Sequence, residues 1–157
     1  MRVGIGFDVH RFATGRPLVL GGVEIAHEYG LEGHSDADVL VHALMDAMLG
    51  ALALGDIGDH FPDTSDAYKG ISSIELLRRV QALIVDQGYR LHNADIMVLA
   101  EAPKLAPYKS DMIQLLARVL DVGVGDVSIK ATTMERMGFV GRREGIAAQA
   151  VVTLIKR

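Results

Sequence analysis

The chain has 157 residues and no cysteine. That absence excludes a disulfide scaffold, a cysteine nucleophile, a thiolate zinc site and an iron–sulfur cluster. Cations are missing over a long stretch, because no Lys or Arg occurs from Pro17 to Tyr68. No apolar run is long enough for a membrane-spanning helix. Strand-like alternation begins at Arg2, so no signal peptide is expected. Walker A and the complete G-x-G-x-x-G pattern are both absent, and Gly4-x-Gly6 has no third glycine in place. A P-loop or dinucleotide site is therefore not supported, and without H-E-x-x-H a zincin protease is not expected.

What is present points to one folded domain over residues 1–157. Hydrophobic residues make up 50% and charged residues 23%, which argues against disorder. The net charge of −4 disfavours nucleic-acid binding. That total is uneven. The cation-free stretch holds ten acids and four histidines, and the remainder carries +6. An acidic block suits a metal ion and a basic remainder suits an anion. Chance clustering on a solvated surface is the alternative.

Periodicity predicts a strand over Arg2–Phe12, with Val3, Ile5, Phe7 and Val9 alternating. A hairpin follows around Gly21-Gly22. Residues 26–35 read as a loop. Ser35 or Asp36 can cap a helix running to about Leu54. Residues 55–70 form a long loop, and Ser72-x-x-Glu75 is a capping box for a second helix stopped by Gly88. A strand lies within 89–101. A third helix ends near Leu120, and two strands span Val127–Thr133 and Ile146–Ile155. The expected class is α+β: a single-domain α/β sandwich with a mixed four-stranded sheet, helices on one face and a small hairpin.

Several patterns suggest chemistry. The first helix is apolar nearly all round, except for Asp38, His42 and Asp46 on one stripe. A buried Asp/His stripe must be paired or ligated, although an incidental surface histidine is the alternative. Asp8 and His10 leave one face of the first strand. With His42 they make a three-ligand set that leaves one position open, as catalytic zinc requires. Asp46 could orient the His42 ring. His34-Ser35-Asp36 precedes the helix, where an anion would meet free N–H groups, or where Ser35 or Asp36 simply caps. Glu135 could hold an oxygen-loving cation, and Arg142-Arg143 could pair with phosphate or stand as surface arginines.

Taken in order, Gly6-Phe7-Asp8-Val9-His10, His34-Ser35-Asp36, His42, Gly55-Asp56-Ile57-Gly58, Phe61-Pro62-Asp63-Thr64, Ala102-Pro103-Lys104, Lys130-Ala131-Thr132-Thr133 and Gly141-Arg142-x-Glu144-Gly145-Ile146 become specific. The chain resembles the 2-C-methyl-D-erythritol 2,4-cyclodiphosphate synthases of non-mevalonate isoprenoid biosynthesis. The resemblance implies cyclisation of 4-diphosphocytidyl-2-C-methyl-D-erythritol 2-phosphate with loss of CMP, a phosphorus–oxygen lyase reaction. It implies a homotrimer with active sites between subunits. By this likeness Asp8, His10 and His42 hold Zn²⁺, and Glu135 holds a second cation, Mg²⁺ or Mn²⁺. His34 and Thr133 are the implied catalytic residues. Ser35, Asp56, Ile57, Gly58, Phe61, Asp63, Thr64 and Ser65 join Asp8 and His10 around the substrate. Ala100, Ala102, Pro103, Lys104, Leu105 and Ala106, with Thr132 and Thr133, form the implied cytidine pocket. Phe139 and Arg142 match ligand-contact positions near the trimer centre.

No protein nucleophile is needed for such a reaction, which suits the absent cysteine. His27, His60 and His92 are read as surface positions. A chain starting at Met1 without a transit segment is expected in the cytoplasm, with no nucleic-acid or membrane partner. A metal-dependent phosphohydrolase and a ligand-binding trimer without turnover remain the rival readings.

Overall fold

Strand β1 (Arg2–Ala13) forms where Val3, Ile5, Phe7 and Val9 alternate with Gly4, Gly6, Asp8 and His10, so the pleat sends the two sets to opposite faces. The computed structural model describes residues 1–157. After β1 come β2 (Leu18–Leu20), β3 (Val23–Ile25), β4 (Gly30–Leu31), helix α1 (Val39–Ala51), the single turn α2 (Ile57–His60), α3 (Ser73–Asp86), β5 (Tyr89–Leu99), α4 (Lys109–Leu120), β6 (Val127–Thr132), the turn α5 (Gly138–Gly141) and β7 (Gly145–Lys156). No helix is long and apolar enough to cross a membrane.

The fold is α+β with a mixed sheet in the order β4-β1-β7-β5-β6, and β2 and β3 form a separate hairpin. Only β5 and β6 run parallel; the other pairs are antiparallel. Helix α1 packs on β1 and β7, α3 lies against α1, and α4 reaches β6. The covered face is apolar, with Ile146, Ala148, Ala150, Val152 and Leu154 of β7 all buried. On the opposite face Val3, Ile5, Phe7 and Val9 stand 44–65% exposed, beside Val151.

The sheet has five strands rather than the expected four. The fifth, β4, lies inside the segment expected to be a loop and pairs with Phe12 and Ala13. Two residues are too few to show a period. Helix α1 starts later than expected, and its cap is Asp38 rather than Ser35 or Asp36. The Asp38 carboxylate accepts from Val41 N–H at 3.1 Å and also from Gly21 and Gly22 at 3.0 and 2.7 Å. The hairpin turn therefore selects the cap. Burial and the nearby Asp36 charge push Asp38 up to about 6, against the pull of those three N–H donors. The helix ends at Ala51 rather than Leu54, because Ala53 adopts a positive φ. Ser72 occupies the cap position of α3, yet its side chain makes no capping bond. The Asp36 carboxylate instead accepts from Ser73 N–H at 2.9 Å. The expected loop 55–70 folds into α2 and a 3₁₀ turn at Asp66–Tyr68.

Candidate active site

Gly4 and Gly6 give α1 a close seat on β1. A Cβ on Gly6 would lie 1.9 Å from the Ala43 carbonyl oxygen, and one on Gly4 would lie 1.8 Å from that of Ala47. Backbone against backbone, the helix carries His42 to the far end of the strand, where Asp8 and His10 replace the glycines. The Asp8 Oδ2 lies 2.8 Å from His10 Nε2 and 3.2 Å from His42 Nδ1. The two ring nitrogens are 3.2 Å apart. Ligand atoms around tetrahedral zinc, with bonds of roughly 2.0–2.1 Å, stand about 3.3 Å from one another. The three atoms thus form one nearly correct face of such a tetrahedron. They are the cluster in this chain able to hold a metal ion.

The outer atoms of both rings are occupied. His10 Nδ1 donates to the Glu32 carbonyl at 2.6 Å. His42 Nε2 meets Ser73 Oγ at 2.9 Å and Ser35 Oγ at 3.2 Å. Asp46 does not take the role of orienting His42; its carboxylate accepts from Ile57 N–H at 2.8 Å and so tethers α2 to α1.

Burial alone would raise the Asp8 carboxyl, but hydrogen bonds and charge from His10 and His42 outweigh it and hold Asp8 at about 2. Burial alone would lower His10, yet the Asp8 hydrogen bond and charge raise it above 6.5. In the metal-free protein Asp8 contributes stability above pH 3.8 that is lost as pH falls towards 2. His10 contributes stability below pH 6.5 that is lost as pH rises through its raised value. A metal must displace the His10 proton, so affinity is expected to fall once pH drops through that raised value, which lies above 6.5. Zinc titrated calorimetrically into metal-free protein near neutrality should release protons. Its heat should then differ between buffers of unlike ionisation enthalpy, and identical heats would contradict the competition.

These three side chains floor a cleft of about 460 Å³ that also holds His34, Ser35, Ile57, Gly58, Phe61, Asp63 and Thr64. His34 Nε2 donates to the Ser65 carbonyl at 2.8 Å, which joins the helix-start segment to the 55–70 segment. Asp56 and Ser65 do not line the cleft. Asp56 caps α2 reciprocally with Asp59, and the Ser65 hydroxyl caps the 3₁₀ turn.

A second cleft collects Ala100, Pro103, Lys104, Leu105, Ala106, Thr132 and Thr133, while Ala102 adjoins it in a cis bond to Pro103. It shares no lining residue with the first. Glu135 stands beside it, accepting from Thr133 Oγ1 at 3.3 Å, and joins no ligand cluster. Phe139 lines a third hollow with Val9 and Glu144. Arg142 is tied to Glu144 at 2.9 Å. Of the histidines read as surface positions, His92 is exposed. His60 is half-buried and donates to the Leu54 carbonyl, and His27 packs on Phe12.

Some residues of these sites carry no readable signal in the sequence. Ser73 looks only like a helix-start residue. Glu101 lies in the second cleft, where its carboxylate accepts from Met134 and Arg136 N–H and shapes the turn bearing Glu135. Gly33, Tyr68 and Leu76 also line the first cleft.

The model of the YgbB family matches residues 1–155. A 2-C-methyl-D-erythritol 2,4-cyclodiphosphate synthase of Symbiobacterium thermophilum is 60% identical, covering all of both chains. One from Desulfitobacterium hafniense is 58% identical over 99% of each. A solved 2C-methyl-D-erythritol-2,4-cyclodiphosphate synthase in its CDP-bound form superposes with a TM-score of 0.90 at 36% identity, covering 98% of this chain and all of that one.

Proposed function

Because the chain belongs to the YgbB family and is a cyclodiphosphate synthase of isoprenoid biosynthesis, we propose that it works through the two clefts together, with a metal ion in the first and a cytidine nucleotide in the second. The substrate is 4-diphosphocytidyl-2-C-methyl-D-erythritol 2-phosphate. An oxygen of its 2-phosphate bonds to the β-phosphorus, the bond from that phosphorus to the oxygen bridging to the α-phosphorus breaks, and the bridging oxygen leaves as part of CMP. The product is the 2,4-cyclodiphosphate. The chain supplies position and charge rather than a covalent partner.

The observation that carries this reading is the Asp8, His10 and His42 triangle, whose edges of 2.8–3.2 Å suit a small tetrahedral cation. A bound Zn²⁺ there supplies electrostatic neutralisation of the phosphate oxygens. Asp63 and the Ile57-Gly58 backbone sit where the polyol would lie, and His34 is held at the same cleft by Ser65. Thr132, Thr133 and Lys104 border the second cleft, where the cytidine diphosphate portion would bind. Glu135, beside the second cleft, would hold a second divalent cation, Mg²⁺ or Mn²⁺.

Three copies complete the sites. The two clefts of one chain share no lining residue, which fits a substrate that spans neighbouring subunits. The exposed Val3, Ile5, Phe7, Val9 and Val151 face is the surface that would become buried between them. The direct test is turnover of the cytidine substrate, with products identified by mass and phosphorus NMR. Cyclic diphosphate and CMP are expected, whereas a linear product carrying solvent oxygen would indicate hydrolysis. Mixing subunits tests the sharing of sites. His42→Ala and Thr133→Ala proteins, each inactive alone, should regain activity when unfolded together and refolded. No recovery in verified mixed trimers would place both residues in a site made by one chain.

A further inference from the structure

The Ser73 hydroxyl has one proton and two neighbours that compete for it. Asp36 lies on one side, in a short hydrogen bond through Oδ1. Its other oxygen, Oδ2, accepts from Ser73 N–H at 2.9 Å. His42 Nε2 lies on the other side at 2.9 Å. An ionised carboxylate can only accept, so the Ser73 proton goes to Asp36. The lone pairs of Ser73 Oγ then face His42 and draw its ring proton to Nε2, against Asp8 Oδ2, which lies 3.2 Å from Nδ1 and competes for it. This leaves the lone pair on Nδ1, the atom that faces Asp8 and His10.

We propose that Asp36 and Ser73 are positioning residues that fix the His42 tautomer and ring orientation, and so set the metal affinity of the centre. The inference rests on reading Asp8, His10 and His42 as metal ligands. Its physical basis is general: a ligating histidine is oriented, and made more basic, by the acceptor of its second N–H. Here that acceptor is not a lone hydroxyl. Asp36 polarises it while also closing the first turn of α3, so the helix start and the metal ligand share one carboxylate. Ser73 is fully buried and His42 is 7% exposed, so water does not substitute readily for either partner.

The test compares the full-length wild-type protein with Ser73→Ala, Asp36→Asn and Ser35→Ala, each stripped of metal. Zinc affinity is read by competition with a chromophoric chelator. The His42 tautomer is read separately by ¹⁵N NMR of the metal-free ring at alkaline pH. Ser73→Ala should weaken zinc by about 10- to 100-fold and mix the two tautomers. Asp36→Asn should shift both in the same direction by less, since an amide oxygen still accepts. Ser35→Ala, which removes only the longer contact, should leave the tautomer as in wild type. Asp36→Asn also decides the matter if Ser73→Ala does not fold. Wild-type zinc affinity with an unchanged Nε2–H tautomer in both Ser73→Ala and Asp36→Asn would overturn the proposal. If wild type itself takes no zinc, the metal reading fails, and the NMR measurement still decides whether Asp36 and Ser73 direct the proton.

Discussion

His42→Ala is expected to empty the metal centre and cut turnover by about 10³-fold or more, the upper range for losing one group that stabilises developing charge. Alanine removes one vertex of the triangle and leaves Asp8 and His10, a pair 2.8 Å apart, to bind the ion alone. Two donors with no third hold zinc poorly against water and chelators. The fold should survive, because α1 is seated by Val39, Leu40, Leu44, Met45, Met48 and Leu49, all fully buried. Metal content by mass spectrometry, turnover and a melting curve together check this. Full zinc occupancy in the variant would refute the assignment of His42 as a ligand, and a collapsed melting temperature would show a structural role instead.

A second large effect is expected at a residue that carries no ligand atom. Gly6→Ala places a methyl 1.9 Å from the Ala43 carbonyl oxygen and 2.7 Å from Ala47 N. Both are helix backbone, so no flexible side chain can yield, and α1 must lift from β1. Overpacking of this kind costs about 3 kcal/mol or more, which for a chain of this size lowers the melting temperature by about 10 °C. Zinc affinity should fall with it, since lifting the helix carries His42 away from Asp8. Gly125→Ala is the matching control: nothing lies within 4 Å of the added carbon. Equal melting temperatures for the two variants would show that helix and strand do not meet backbone to backbone.

The same contrast separates what the sequence discloses from what it conceals. Asp8 and His10 are legible because a strand has period two and both must leave one face. His42 is legible because a polar residue interrupts a helix that is otherwise apolar. Helices α3 and α4 are legible from amphipathic faces: Leu76, Leu77, Val80 and Ile84 in one and Met112, Leu116, Val119 and Leu120 in the other are buried, while Leu83 and Leu115 on the same faces are half-buried. The residues around the ligands are harder. Asp46 sits one turn from His42 and invites a pairing, yet an N–H from α2 claims it. Ser35, Asp36 and Asp38 are all competent caps, and the choice falls to a glycine turn 16–17 residues upstream. Ser73 reaches Asp36 across 37 residues, and His10 is held by a backbone carbonyl, a group every residue has. Local pattern locates the three side chains that converge, while the contacts that orient them come from tertiary structure.

Strand β1 also carries a constraint of phase. Its odd positions, Val3 to Val9, form the exposed apolar row, and its even positions hold first the glycines that admit α1 and then Asp8 and His10. Inserting or deleting one residue before Asp8 would exchange the two rows over the affected stretch. Branched side chains would meet the helix backbone, or the ligand pair would turn to the open face, and no neighbouring substitution could restore both. Natural length variation should therefore avoid residues 2–10 and collect instead where the backbone has free space, as around Gly15, Gly70 and Gly125.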